Sequence, residues 1–259
     1  MIIDFINEMF RGILPDPALK NLKKVYSYGM KVLGLTKGIR VVRKGNLKHL
    51  AFNGAKVKFP EEQELTDTFI SLPSYFLKWE IKDAVVVDAG AYPGDFSLIA
   101  AKNGCKVIAV EPNPENFRKL QKNIVLNKLE NKIILIEKAL GSYCGKRRIY
   151  LNEYVTSFYY KSDREKEVDV ITLDELISNL GINKVDFVKM DVEGAELDVL
   201  KGMDEILENG CKLMIGSYHK VYGKRTYPFV EQFLKKKGYN VLTMYPLHLV
   251  TYAWKTQRI

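Results

Sequence analysis

The sequence predicts an α/β protein organised as a doubly wound, largely parallel sheet, and three observations carry that reading. First, the β-branched run Val85, Val86, Val87 leads into Asp88, then a loop bearing Gly90 and Gly94, then Phe96, Ile99 and Ala100 at helical spacing. An apolar run bounded by glycine marks a strand buried on both faces, so the stretch reads strand, tight loop, helix, with a ligand expected at the strand's carboxyl end. Second, short apolar strands alternate with helical segments through most of the remaining chain, as a parallel sheet requires. Third, 259 residues with 47% hydrophobic content suit one large domain with an appendage.

Taken in order, residues 2–10 group Ile2, Ile3, Ile6, Met9 and Phe10 as a short amphipathic helix, which Pro15-Asp16-Pro17 ends. Residues 18–33 form a second helix, with Leu19, Leu22, Val25, Tyr26, Met30 and Leu33 on one face and Lys20, Lys23, Lys24 and Lys31 on the other. Its apolar stripe is expected to pack on its own domain, with peripheral membrane contact through residues 1–35 as the alternative. The formal net charge of +9 resides here: residues 1–60 hold twelve Lys/Arg and three Asp/Glu, and the remainder balances at 28 of each sign. Residues 49–52 and 56–59 flank Asn53-Gly54, a hairpin signal, and 60–79 read as helical. Residues 1–80 are thus expected to be a basic appendage, a lid or substrate-facing region, and 81–259 the main domain.

Within that domain the strands are expected at 106–110, 133–137, 185–190 and 212–217, with helices at 173–180, 195–203 and 228–237. Asn113 and Pro114 open a helix as cap and first-turn residue, and Gly181 closes another. Residues 144–172 break the alternation and read as a β-rich insertion, with strands at 147–151, 157–160 and 168–171. The segments 239–244 and 248–255 end the chain as an antiparallel pair.

The loop's spacing selects the ligand. A dinucleotide fingerprint requires G-x-G-x-x-G, whereas this chain reads Asp88-x-Gly90-x-x-x-Gly94 and carries no Gly-Lys-Ser/Thr. An acidic residue beside the loop repels phosphate and favours a cationic ligand. Glu111 ends the next strand, 17 residues past Gly94, where a carboxylate accepts from both hydroxyls of a ribose. A ribose without pyrophosphate beside a sulfonium describes S-adenosyl-L-methionine.

Residues 84–220 resemble the FkbM family of S-adenosylmethionine-dependent methyltransferases. The matching pieces are VVVDAGAYPGDFSL, the VEPNPENFRKLQKN run from Val110 to Asn123, Ala139-Leu140-Gly141, VDVITLDELI at 168–177 and VDFVKMDVEGAELDVLKG at 185–202. The resemblance implies a seven-stranded Rossmann-like methyltransferase sheet with its last strand antiparallel, and methyl transfer commonly to a hydroxyl oxygen of a sugar or natural product. The cofactor is expected to meet Asp88, Gly90, Ala91, Tyr92, Gly94, Ser97, Glu111, Pro112, Asn113, Ala139 and Asp191. A hydroxyl acceptor needs a base beside the transferred methyl, and Asp191, Glu193 and His219 are the candidate catalytic residues because they follow strand ends. Asp191 is the first choice as base or ligand, and Glu193 divides between helix cap and catalyst. Ser217 stands where family members often carry an acid, a departure that weakens the case for a metal, and no metal-ligand set is assigned.

The acceptor is therefore read as a sugar, glycan or other small molecule. An RNA or protein methyltransferase using the basic N-terminal segment is the alternative, although the Asp-Pro-Pro-Tyr-type tetrapeptide of base-amine enzymes is absent. A non-catalytic cofactor-binding module is a further one, and an NAD-dependent oxidoreductase is the reading the loop favours least. Cys105, Cys144 and Cys211 form neither zinc nor disulfide spacing. With no apolar run of ~20 residues and no basic n-region, a cytoplasmic location is the expectation.

Overall fold

The computed structural model describes residues 39–65, 68–76, 78–151, 156–244 and 249–256. The two N-terminal helices expected at 2–10 and 18–33 lie outside these residues.

The main sheet has seven strands: β4 (Val85–Ala89), β5 (Lys106–Val110), β6 (Ile133–Ile136), β11 (Phe187–Met190), β12 (Lys212–Gly216), β15 (Asn240–Met244) and β16 (Val250–Trp254). Their spatial order is β15-β16-β12-β11-β4-β5-β6. The five central and edge strands from β12 to β6 run parallel, while β16 lies antiparallel to both β12 and β15. The last strand therefore inserts, reversed, between the fifth and sixth. The order reverses on either side of β4, which opens a crevice at the carboxyl ends of β4 and β11.

Alternation along each strand supplies two cores. Val86, Val107, Met214 and Tyr252 face one side with Phe96, Leu98 and Leu120, and Val87, Ile108, Val188 and Leu213 face the other with Leu173, Val199 and Leu234. Side chains alternate across a strand, so apolar residues at every position mean burial on both faces. The first face is covered by α1 (Thr68–Phe76), α2 (Asp95–Lys102) and α3 (Pro114–Leu126), the second by α4 (Leu173–Asn179), α5 (Glu196–Lys201), α6 (Asp204–Glu208) and α7 (Tyr227–Lys236).

The N-terminal β-sheet joins β1 (Arg40–Lys44), β2 (Leu47–Phe52) and β3 (Ala55–Pro60). Asn53 and Gly54 take φ of 48° and 80°, the left-handed pair that a two-residue hairpin turn demands. Leu50, Phe52, Val57 and Phe59 belong to the same core as Phe96 and Leu98, and Phe52, Phe76 and Phe96 stack in sequence at 5.4 and 5.2 Å. Asn127 accepts from the Lys58 amide and donates to the Lys58 carbonyl, tying the hairpin to the end of α3.

Three expectations are corrected. The helix read over 60–79 is Thr68–Phe76 alone, because Pro60 still pairs with Leu47. The helix read over 195–203 is found as Glu196–Lys201 and stops at Gly202, whose position leaves no room for a Cβ against the Gly141 carbonyl; α6 is a separate helix that begins beyond it. The β-rich insertion forms its own four-stranded sheet, in the order β7 (Ala139–Leu140), β10 (Glu165–Ile171), β8 (Gly145–Leu151), β9 (Thr156–Ser157). It therefore recruits residues before 144, and the strand expected at 157–160 is limited to Ser157 among those positions. A small hairpin, β13 (Lys220–Val221) and β14 (Lys224–Arg225), had no clear sequence signal.

Candidate active site

The crevice holds a cavity between the carboxyl ends of β4 and β11, the place where a doubly wound sheet binds its ligand. Of the expected cofactor residues, Gly90, Tyr92, Glu111, Pro112, Ala139 and Asp191 line it, joined by Glu193. Asp88, Ala91, Gly94, Ser97 and Asn113 do not. They act one layer behind.

Gly90 (φ 75°) is required by more than its turn, since a Cβ there would collide with the Asp191 carbonyl. The two loops thus meet backbone to backbone. Gly94 (φ 98°) precedes α2, and a Cβ on it would strike Leu120. Asp88 is fully buried, accepts from Ser97 Oγ at 2.6 Å and pairs with Lys189 Nζ at 2.9 Å. Lys189 Nζ also donates to the Gly90 carbonyl at 2.8 Å. Burial pushes the Lys189 ammonium down, but the carboxylates of Asp88 and Asp191 outweigh it and hold its pKa above the ordinary value. This pair fixes the cofactor loop from beneath.

Glu111 is buried at the end of β5, accepting from the Asn113 amide at 3.0 Å and the Tyr92 amide at 3.4 Å. Burial raises its carboxyl to about 7, against those hydrogen bonds. Asn113 accepts from the Glu115 amide as cap of α3, with Pro114 following, and donates to Thr156 Oγ1.

The second group gathers from the ends of β11 and β12. Asp191 accepts from Tyr75 Oη at 2.9 Å and Tyr218 Oη at 3.0 Å. Burial, and then Asp191 itself, raise both phenols well above their ordinary pKa, so they remain donors. Glu193 sits in the left-handed region (φ 53°), a conformation that costs of order 1–3 kcal/mol for a residue with a Cβ. Ser157 Oγ holds that turn by donating to the Glu193 carbonyl at 2.7 Å.

His219 is buried. Its Nδ1 lies 2.7 Å from Oε1 of Glu196, itself fully buried, and that Oε1 also accepts from the Gly194 amide. Its Nε2 lies 3.2 Å from Glu193 Oε2 and 3.5 Å from Asp191 Oδ1, aligned with neither as a hydrogen bond. Burial lowers the imidazole's pKa, but Glu193 and Glu196 outweigh it and hold it well above the ordinary value.

The three expected catalytic residues thus converge. Ser217, at the position where an acid was looked for, is turned into the sheet and shares a 2.7 Å hydrogen bond with Thr251. Sequence reasoning missed Tyr75, which reaches Asp191 from 116 residues away. It also missed Glu196 as the His219 partner, whose one local signal is its three-residue spacing from Glu193. Lys138, Ile149, Thr156 and Phe158 also line the cavity, and for the last three only the β-rich pattern of 144–172 hinted at a role.

The methyltransferase FkbM domain family matches residues 88–241, more than half of the chain. The chain is similar to methyltransferase sdnD of Sordaria araneosa, with 23% identity over 81% of this chain and 92% of that protein. It is also similar to the hexuronic acid methyltransferase AglP of Haloferax volcanii, with 31% identity over 49% of this chain and 53% of the relative. In fold it resembles the crystal structure of methyltransferase FkbM from Methylobacillus flagellatus KT, at TM-score 0.53 and 20% identity, covering 74% of this chain and 51% of that one. The chain accordingly spans about half the length of the last two. Among the described residues no helix is long and apolar enough to cross a membrane. With that family model matching more than half of the residues, on the sheet and crevice described above, the chain belongs to the FkbM methyltransferase family and is an S-adenosyl-L-methionine-dependent methyltransferase.

Proposed function

We propose that the enzyme methylates a hydroxyl oxygen on a sugar, glycan or other small molecule. The observation that carries this is a single cavity lined by Glu111 and by Asp191 and Glu193. Glu111 accepts from the ribose hydroxyls of S-adenosyl-L-methionine, Gly90 and Tyr92 border the aminoacyl end, and Pro112 and Ala139 flank the adenine. Asp191 and Glu193 face the methyl group and the incoming acceptor.

An alcohol is a poor nucleophile until its proton is drawn away. In this reading Glu193, which lines the cavity, takes that proton as the oxygen attacks the methyl carbon. The C–O bond forms, the C–S bond breaks, and its electron pair stays on sulfur, leaving a neutral thioether. Asp191, pinned by two phenols, orients the acceptor, and His219 backs Glu193. Similarity to a hexuronic acid methyltransferase supports a sugar acceptor. The carboxylate-rich acceptor end speaks against nucleic acid, whose phosphates bind through Lys and Arg.

The test is transfer from methyl-labelled S-adenosyl-L-methionine to uronic acid glycosides, neutral glycosides, an RNA transcript and a protein extract. An alkali-stable methyl ether on a glycoside is expected. Label incorporated only into RNA or protein would overturn the reading.

A further inference from the structure

We propose that Asp191 Oδ1, Glu193 Oε2 and His219 Nε2 form a three-ligand site for a divalent cation at the acceptor end of the cavity. These atoms lie within 4.8 Å of one another. The spacings from Nε2, 3.2 Å to Glu193 and 3.5 Å to Asp191, approach the about 3 Å that separates neighbouring ligands around an octahedral ion with bonds of 2.0–2.1 Å.

A second, independent observation concerns the ring itself. His219 Nε2 is buried and has no hydrogen-bond partner, yet it points between two carboxylates. Its other nitrogen is engaged by Glu196 Oε1 at 2.7 Å. A cation entering the gap would displace the proton on Nε2, leaving the one on Nδ1 with Glu196. A carboxylate holding the far nitrogen of a ligating histidine is the recurrent outer layer of metal sites, fixing tautomer and ring angle. Tyr75 and Tyr218 do the same for Asp191. Three carboxylates around one imidazole, with the open side facing the cavity, make a pocket that a cation would neutralise. Two oxygens and one nitrogen suit manganese or magnesium better than the softer metals.

What the cation would do rests on the hydroxyl reading above. Bound there, it would polarise an acceptor hydroxyl and ease the loss of its proton to Glu193, ahead of the same attack on the sulfonium methyl.

The full chain, stripped with EDTA, is titrated with manganese chloride and followed by the loss of free Mn²⁺ signal in electron paramagnetic resonance, with no acceptor present. One Mn²⁺ per chain is expected, with Glu193→Gln and His219→Ala each weakening it at least about tenfold. Glu196→Gln, acting only through the ring, should weaken it about 10–100-fold. Calorimetry with S-adenosyl-L-methionine checks that each variant keeps its fold. Should His219→Ala lose cofactor binding, Glu193→Gln decides, since its side chain reaches the cavity edge. No Mn²⁺ uptake by the wild type, or equal uptake by Glu193→Gln, would overturn the site. Ether formation undiminished by EDTA would overturn the cation's role and leave the hydroxyl reading intact.

Discussion

Two carboxylate groups lie within a few residues of each other on this sheet, and they have opposite characters. Beneath the cofactor loop, Asp88 meets Lys189, and the lysine also carries the Gly90 carbonyl. Both side chains are nearly inaccessible, 1% and 7% exposed, and the opposite charges are matched. Just past the end of β11, Asp191 approaches His219, which Glu193 and Glu196 also flank. There the carboxylates outnumber the imidazole, and Glu193 and Asp191 remain 27% and 18% exposed. A buried charge that is matched and closed holds structure together. An unmatched one that opens on a cavity is available for chemistry.

Breaking each group should therefore give different symptoms. The largest effect is expected from Glu193→Gln, which removes the proton acceptor without changing shape. Turnover should fall about 10²–10⁴-fold, while calorimetry finds cofactor affinity within about threefold. Equal loss in both would merge the two groups into one. Lys189→Met is the mirror case. Leaving Asp88 buried without its partner should cost about 3–5 kcal/mol in chemical denaturation, and Asp88→Asn on top should recover part of it.

The smallest and sharpest test uses Glu111, a third carboxylate with neither a matched cation nor an open cluster. Its carboxyl sits at about 7 in the native protein against an ordinary 4.5. The native state therefore holds a proton that the unfolded chain releases, and this contribution to stability is present below pH 4.5 and is lost as pH rises through about 7. Ribose hydroxyls donate to the ionised form and pull the other way. Cofactor affinity should rise about tenfold from about pH 6 to about pH 8, relative to Glu111→Gln over the same range.

The difference between the groups also explains what the sequence could reveal. Strand, turn and helix around Asp88 are local, as are the Asn53-Gly54 hairpin and the Asn113-Pro114 start of α3. All of these are written in consecutive residues. Asp191, Glu193 and His219 were legible as strand-end residues, because neighbouring strands in a parallel sheet end side by side. Their supports were not. Tyr75 arrives from a helix on the other side of the fold, and Glu196 reads as an ordinary first-turn carboxylate until burial is known. Pro60 misled the helix prediction because an edge strand tolerates a proline, which no local pattern distinguishes from a helix start.

The contact between Gly90 and the Asp191 carbonyl has a practical consequence for anyone wishing to retarget the enzyme. With no side chain to cushion them, the turn after β4 and the turn after β11 are effectively one mechanical part. A graft that replaces either loop will have to bring its own partner turn with it.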